Sequence, residues 1–233
     1  MITVYTIAYN EELQIQFLID HYRSRFPNCH IVVYDNMSKD DTVKIAKANN
    51  CEVIPYDTNE QICDSKYLEI KNNCWKSATT DWVLVCDVDE LLDINLFQLQ
   101  SLSNIGNTII KSEAYNMVNM EDNLDIASIK YGARTIYHDK SYLFNKKFIS
   151  EINYEPGCHK CNPVGTVSIS TCAYKLYHYN FINENLSVEK YRIYGTRLSP
   201  ENLKNGWGNH YLHTAEQVRN EYATVRSQAI KLL

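Results

Sequence analysis

The sequence predicts an α/β protein built on a doubly wound, mostly parallel sheet flanked by helices. Two observations carry this. Over residues 2–93, short β-rich apolar runs alternate with segments of helical periodicity. Three of those runs end in a polar cluster: Tyr9-Asn10-Glu11, Asp35-Asn36 and Asp87-Val88-Asp89-Glu90. In sheets of this kind, ligands bind beyond the carboxyl ends of the strands. Three clusters on one edge therefore predict a binding crevice.

The elements follow in order. Residues 2–8 are apolar and read as the first strand. Ile15, Leu18, Ile19, Tyr22 and Phe26 fall at helical spacing, so residues 11–26 form an amphipathic helix. Residues 30–34 hold β-branched residues at their centre and form the second strand. Ser38 and Asp41 stand at capping-box spacing before a short helix over Thr42–Ala48. Residues 51–55 form the third strand. A longer helix over 61–78 places Tyr67, Ile70, Cys74 and Ala78 on one side, and residues 82–86 make a buried fourth strand. Further on, residues 108–115, 128–136 and 141–144 read as strands of mixed character. A loop-rich stretch at 153–166, an apolar strand near 172–177 and two closing helices complete the chain.

The chain has 233 residues, enough for one sizeable core, and nothing marks a linker or repeat. We expect one domain over 1–233, with a nucleotide-binding half at 1–93 and a smaller mixed acceptor-side half at 94–233. A net charge of −5 with scattered basic residues excludes an electrostatic footprint for nucleic acid or an anionic membrane. No stretch approaches the roughly 20 apolar residues of a membrane span. The N-terminus enters a strand directly, without a signal-type segment. These features predict a soluble, cytoplasmic protein whose eight cysteines are mostly small buried thiols.

The chemistry concentrates at Asp87-Val88-Asp89-Glu90. Carboxylates gathered at the end of a core strand repel one another unless a cation sits among them. A divalent metal is the simplest such cation, and it implies a phosphate-bearing substrate. If the strand geometry continues, Asp87 and Asp89 share one face, Val88 turns to the core and Glu90 points away to brace the turn.

Together these segments resemble the glycosyltransferase family 2-like enzymes with a GT-A fold, mainly over residues 2–93. Ile7-Ala8-Tyr9-Asn10-Glu11 resembles the family's first-strand motif, where backbone and an aromatic ring grip the nucleobase. Asp35-Asn36-Met37-Ser38-Lys39-Asp40-Asp41-Thr42 resembles its D-D-G-S-x-D-x-T motif, with Asn36 standing where many members carry a second Asp. The resemblance implies that Asp35 and Asn36 contact the base or ribose. It places Lys66 near the nucleotide, and Asn72 matches a polar position on the same helix. Asp40 and Thr42 also suit helix capping. Asp87-Val88-Asp89 resembles the D-x-D motif. The resemblance implies that Asp89 holds Mn²⁺ or Mg²⁺, that Asp87 reaches the ribose or the metal's surroundings, and that the donor is a nucleotide-diphosphate sugar.

The later half is less specific. An inverting transferase needs a carboxylate to take the acceptor's proton. Glu155 is the first candidate, then Glu151, with Asp139 and Glu113 behind them. His178 is the candidate for an added metal ligand, and Lys190 and Arg192 could fold over the diphosphate. Neither the E-D acceptor motif nor the Q-x-x-R-W motif of processive members is evident, which favours one transfer per event to a glycan or other hydroxyl acceptor. Cys158, Cys161, Cys172 and His178 offer a Cys₃His set for zinc. Residues 215–232 carry a seam of Ala215, Val218, Tyr222, Val225, Ala229 and Leu232 that packs on the chain's own sheet or against a second copy. Two rival functions remain. A nucleotidyltransferase would carry a Gly-rich basic loop where this chain has Tyr9-Asn10-Glu11-Glu12. A non-catalytic nucleotide-sugar-binding protein would have little need of the Asp87/Asp89 pair.

Overall fold

The computed structural model describes residues 1–121 and 123–233. In chain order the strands and helices are β1 (Ile2–Ala8), α1 (Ile15–Arg25), β2 (His30–Asp35), α2 (Thr42–Ala48), β3 (Glu52–Pro55), α3 (Asp64–Asn73), β4 (Trp82–Asp87) and β5 (Glu90–Leu92). They continue with α4 (Leu96–Asn104), β6 (Ile109–Val118), β7 (Tyr131–Arg134), β8 (Leu143–Asn145), β9 (Ile149–Glu151) and β10 (Val164–Gly165). The last are β11 (Ile169–Phe181), α5 (Glu184–Arg197), α6 (Pro200–Asn205), α7 (Ala215–Gln228) and β12 (Ile230–Lys231).

One main sheet runs in the order β12-β7-β6-β8-β4-β1-β2-β3. The expected parallel half is present: β1 pairs in parallel with both β2 and β4, and β2 with β3. Beyond β4 the sheet becomes mixed. β8 joins β4 to β6 with antiparallel pairing on both sides. The second half of the chain therefore extends the same sheet rather than forming a separate layer. β11 runs parallel to β6 and antiparallel to β5. Its long run, interrupted by register shifts, bridges the two halves.

The apolar face of α1 is buried as its spacing predicted: Ile15, Leu18, Ile19 and Tyr22 are fully covered, with Phe26 just beyond the helix. Val88 also goes into the core. Boundaries differ in informative ways. The helix predicted over 61–78 is α3 followed by a 3₁₀ turn at Cys74–Ser77, so Cys74 and Trp75 are buried at a break. Three helices, not two, close the chain.

The capping box expected from Ser38 and Asp41 is not formed. Its residues serve the neighbouring loop instead. Ser38 Oγ accepts from Asn10 N (2.9 Å), Thr42 Oγ1 from Glu11 N (2.7 Å) and Asp40 Oδ2 from Glu12 N (3.0 Å). Three consecutive backbone donors after β1 are thus satisfied by the motif after β2. Asn10 sits at φ 54°, a region Asn tolerates better than most residues.

The seam on α7 packs intramolecularly. Val218 and Tyr222 are buried, Tyr222 with Val118 and Phe181 of the sheet, and Val225 and Ala229 lie against that cluster. This is the first of the two packings expected for the seam. All eight cysteines are free thiols. Among the described residues, no helix is long and apolar enough to cross a membrane.

Tyr22 fastens α1 to β5. Its hydroxyl donates to Glu90 O and accepts from Leu92 N, both at 3.1 Å and both buried. Tyr22→Phe leaves a backbone donor and acceptor unpaired, so urea unfolding is expected to show a loss of about 1–3 kcal/mol.

Candidate active site

β4 ends at Asp87, and the chain turns through Val88 and Asp89 into β5. The antiparallel pairing of β5 with β11 sets His178 opposite Glu90, and Tyr179 N donates to Asp89 O at 2.7 Å. The parallel pairing of β11 with β6 sets His178 beside Asn116. Register alone thus brings a histidine from late in the chain to Asp89. His178 Nε2 lies 3.5 Å from Asp89 Oδ2. His178 Nδ1 lies 3.0 Å from Asn116 Oδ1. An amide oxygen only accepts, so Nδ1 carries a proton, and Nε2 is the ring nitrogen that faces Asp89.

Three lysines from three elements surround these acids. Lys71 of α3, itself 5% exposed, donates to Asp87 Oδ1 at 2.5 Å. Lys140, in the loop before β8, lies 2.7 Å from Glu90 Oε1 and 3.6 Å from Asp87 Oδ2. Lys190 of α5 donates to Asp89 Oδ2 and to Asn180 Oδ1, both at 3.0 Å. Burial alone would raise the Asp87 carboxyl, but Lys71 and Lys140 outweigh it and hold it below the usual range. Burial acts the same way on Asp89, where Lys190 and His178 bring it well below that range. Both acids are therefore ionised.

Glu90 does turn away from Asp89. It is fully buried against Lys140 and the Tyr142 hydroxyl, and Lys140 links it to Asp87. It braces the site through a shared lysine.

The first-strand motif lies beside this cluster. Ile7 is in register with Tyr34 on one side and Asp87 on the other. Ala8 O accepts from Asn36 N at 2.9 Å, which places the start of the Tyr9 loop against Asp35. The Arg197 guanidinium lies over the Tyr9 ring, 3.6 Å from its centroid. Asp35 is buried, with Oδ2 accepting from Ser38 N at 3.1 Å. Glu11 accepts from the Tyr194 hydroxyl at 3.2 Å, and burial pushes its carboxyl up to about 7, partly opposed by Lys190.

Several expected contacts are placed differently. Asn36 is fully buried, and its amide bonds Thr58 through both ends: Nδ2 donates to Thr58 Oγ1 at 2.8 Å, and Oδ1 accepts from Thr58 N at 3.0 Å. It locks the loop after β3 rather than facing the crevice. Lys66 pairs with Glu69 at 2.9 Å on an exposed face of α3, and Lys71, five residues on, is the lysine that enters the site. Asn72 bonds the backbone of Tyr154, tying α3 to the loop after β9.

Glu151 is taken by Lys76 at 2.7 Å, while Glu155 is exposed at the head of the turn Pro156–Cys158. Glu113 and Asp139 are both held by Arg134. Arg192 pairs with Glu189 on the outer face of α5. The zinc set does not assemble: Cys158 is buried, Cys172 is exposed, and no group of three His, Cys, Asp or Glu among the described residues could hold a metal.

Sequence reading missed Lys71, Lys140, Tyr194 and Arg197. The last two had an available signal. Lys190, Tyr194 and Arg197 stand at i, i+4 and i+7, one stripe of a helix. That stripe meets Asp89, Glu11 and Tyr9 respectively.

Residues 3–102 match the family described as Glycosyl transferase family 2. That region, less than half of the chain, is similar to glycosyltransferase family 2. The matched span contains β1 to β4, the clusters at their ends and the Asp87/Asp89 turn. No curated protein matches the chain. Among solved structures, it is similar to S. aureus TarS at 16% identity, covering 95% of this chain and 42% of that one, with a TM-score of 0.47. It is also similar to S. aureus TarS 1-349 in complex with UDP-GlcNAc, at 16% identity, 95% and 71% coverage and a TM-score of 0.48. Glucosyl-3-phosphoglycerate synthase from Mycobacterium tuberculosis, in complex with Mn²⁺, UDP and glucosyl-3-phosphoglycerate, is similar at 15% identity, 68% and 62% coverage and a TM-score of 0.42. The chain thus spans under half the length of the first of these proteins.

Two outcomes test the electrostatics. Lys140→Met leaves Glu90 charged and buried without its cation, so unfolding is expected to show a loss of about 3–5 kcal/mol, whereas Lys140→Met with Glu90→Leu recovers most of it. Glu11 binds its proton more tightly in the folded chain than in the unfolded one, so its contribution to stability falls as pH rises from about 4.5 to about 7. Glu11→Gln is expected to remove that decline. Melting curves of the variant and the parent should diverge across that window and run parallel above it.

Proposed function

We propose that the protein is a metal-dependent glycosyltransferase that moves one sugar from a nucleotide-diphosphate sugar to an acceptor hydroxyl, with inversion and without processive extension. The observation that carries this is the meeting of Asp89 Oδ2 and His178 Nε2 at 3.5 Å, at the strand edge where the nucleotide motifs end. A carboxylate oxygen and an imidazole nitrogen that converge on one point are both ligand types a divalent cation takes. Lys190 supplies charge at the oxygen but does not engage the nitrogen.

One carboxylate and one imidazole suit Mn²⁺ or Mg²⁺, ions whose remaining positions go to phosphate oxygens and water. Asp89 and His178 would hold the ion as its two protein ligands, while Asp87 is paired with Lys71 and Lys140. Bound there, it would stabilise the negative charge that develops on the leaving diphosphate.

The chain's own residues do the rest. Asn116 orients the His178 ring, a contact that keeps a ligand nitrogen directed at its ion. Lys71 and Lys140 keep Asp87 ionised, and Lys190 places a third ammonium at the mouth of the crevice for an anionic donor. Tyr9 and Asp35 lie where the base and ribose would rest. On the acceptor side, Glu155 is the carboxylate open to a substrate, Glu151 being held by Lys76. In the reaction, the acceptor oxygen gives its proton to Glu155 and forms a bond to the anomeric carbon. The bond from that carbon to the diphosphate oxygen breaks, and the electron pair leaves with the nucleotide.

Binding of Mn²⁺ with a panel of nucleoside diphosphates tests the site. At a hundredfold excess over Kd, a binding nucleotide is expected to raise Tm by about 5–10 °C when Mn²⁺ is present and much less without it. Asp89→Ala and His178→Ala are expected to abolish the metal-dependent part. Wild-type-like metal dependence in Asp89→Ala would overturn the assignment.

A further inference from the structure

A chain of rings leads from the acidic turn to the surface. His178 faces Asp89. Between ring centres, His138 lies 4.6 Å from His178, His159 lies 5.1 Å from His138, and Tyr137 lies 4.2 Å from His159. Tyr137 is 68% exposed, and Ile136 before it is 81% exposed. The Tyr137 ring thus leans on an imidazole while most of its surface stays open to solvent.

Both turns that carry this pair are pinned. Thr135 N donates to Ala114 O at 3.0 Å, and Ala114 N donates to Asp139 Oδ1 at 2.8 Å. The turn Ile136–His138 is therefore fastened to β6 at both ends. The turn at His159 begins at Glu155, whose N donates to Lys160 O at 3.0 Å. Asn72 holds Tyr154, at its base, through both backbone groups. Within this turn Gly157 sits at φ 75° and Cys158 at φ 56°. A Cβ at Gly157 would fall 2.7 Å from the His159 ring, so the ring lies on bare backbone. His159 Nδ1 is buried and makes no hydrogen bond. A left-handed cysteine and an unpaired ring nitrogen both cost stability, and such costs gather where a side chain is placed for a ligand.

We infer that Tyr137, backed by His159, is the platform on which the acceptor rests, and that the acceptor is a saccharide whose pyranose ring lies against it. This rests on the glycosyltransferase reading above and names the acceptor class within it. An exposed aromatic ring suits a flat face of C–H bonds, which a pyranose presents, and fixing the ring beforehand lowers the entropy lost on binding. His138, 5.3 Å from Tyr137, joins the platform to His178, and the turn under His159 begins at the proposed base, Glu155. Other acceptors match less well. An alkyl chain needs a continuous apolar surface. Here Ile136 and Tyr137 are followed by His138 and Asp139, and they meet a turn bearing exposed Glu155 and Lys160. A polypeptide adds to a free strand edge, but β7, which leads into this turn, is paired with β6 and β12.

Saturation-transfer NMR on the full chain tests this. The probes are disaccharides of glucose, galactose, mannose and N-acetylglucosamine, with ribitol as an acyclic polyol, hexyl phosphate as an alkyl chain and a Gly-Ser-Thr peptide. Samples with and without Mg²⁺ and nucleoside diphosphates cover an ordered mechanism. At least one disaccharide is expected to bind through its C–H protons, about tenfold tighter than the other three probes. Tyr137→Ala should weaken it about tenfold, the worth of one stacked ring. Tyr137→Phe should stay within about twofold of the parent, and Tyr137→Leu, which keeps apolar bulk without a ring, should resemble Tyr137→Ala. The side chain is exposed, so all three variants are expected to fold as the parent does. Binding by no disaccharide would overturn the inference. So would tighter binding of ribitol, hexyl phosphate or the peptide, or an unchanged affinity in Tyr137→Ala. If nucleotides bind and no disaccharide does, the acceptor assignment alone falls. If a disaccharide binds and no nucleotide does, the platform stands as a saccharide site and the transferase reading falls.

Discussion

The neutralisation of three acids at one strand end is the constraint on which the rest of the structure depends. Asp87, Asp89 and Glu90 lie within one tight turn, and Glu90 is fully buried. Their charges can persist only with cations close by. Lys71, Lys140 and Lys190 arrive from α3, from the loop before β8 and from α5. Each must be held in place by its own element. The acid cluster thus dictates where a helix of the first half, a loop of the second and a helix near the C-terminus come to rest. Removing Lys140 leaves buried Glu90 without its cation, so stability and site geometry are coupled here.

The same arrangement explains how a site with three lysines can still call for a divalent ion. Lys71 and Lys140 serve Asp87 and Glu90, whose role is to hold the turn. Asp89 stands apart, shared between Lys190 and Nε2 of His178. Lys190 lies on α5, the element that also sets Tyr194 on Glu11 and Arg197 on Tyr9. One helical stripe therefore spans the proposed diphosphate and base positions. The first half supplies the strand ends, and the late helix supplies the cations beside them.

Much of the first half was legible. Apolar runs ending in polar clusters located β1, β2 and β4 and the edge on which they open, because burial on both faces leaves a continuous apolar signature. The Ser38–Thr42 motif was legible as a unit, but its work was not. Spacing suggested a helix cap, whereas the side chains accept from the loop of Asn10, Glu11 and Glu12. Lys66 and Lys71 lie on one helix, and the sequence does not say which of them meets the acids. Asn36 looked like a ligand contact, but burial and Thr58 consume its amide.

By itself, the sequence determined the α/β class, the parallel strands of the first half, the acidic turn at the end of β4 and a match over residues 3–102 to glycosyltransferase family 2. These are local properties, written in apolar periodicity and short motifs. Only the tertiary structure decided which cations answer the acids, that His178 faces Asp89 with its orientation set by Asn116, and that Arg197 covers Tyr9. Those contacts join residues from 16 to 188 positions apart, most of them through the register of β11 and the packing of α5. Such contacts depend on how distant segments are paired, and no local pattern in a chain records that.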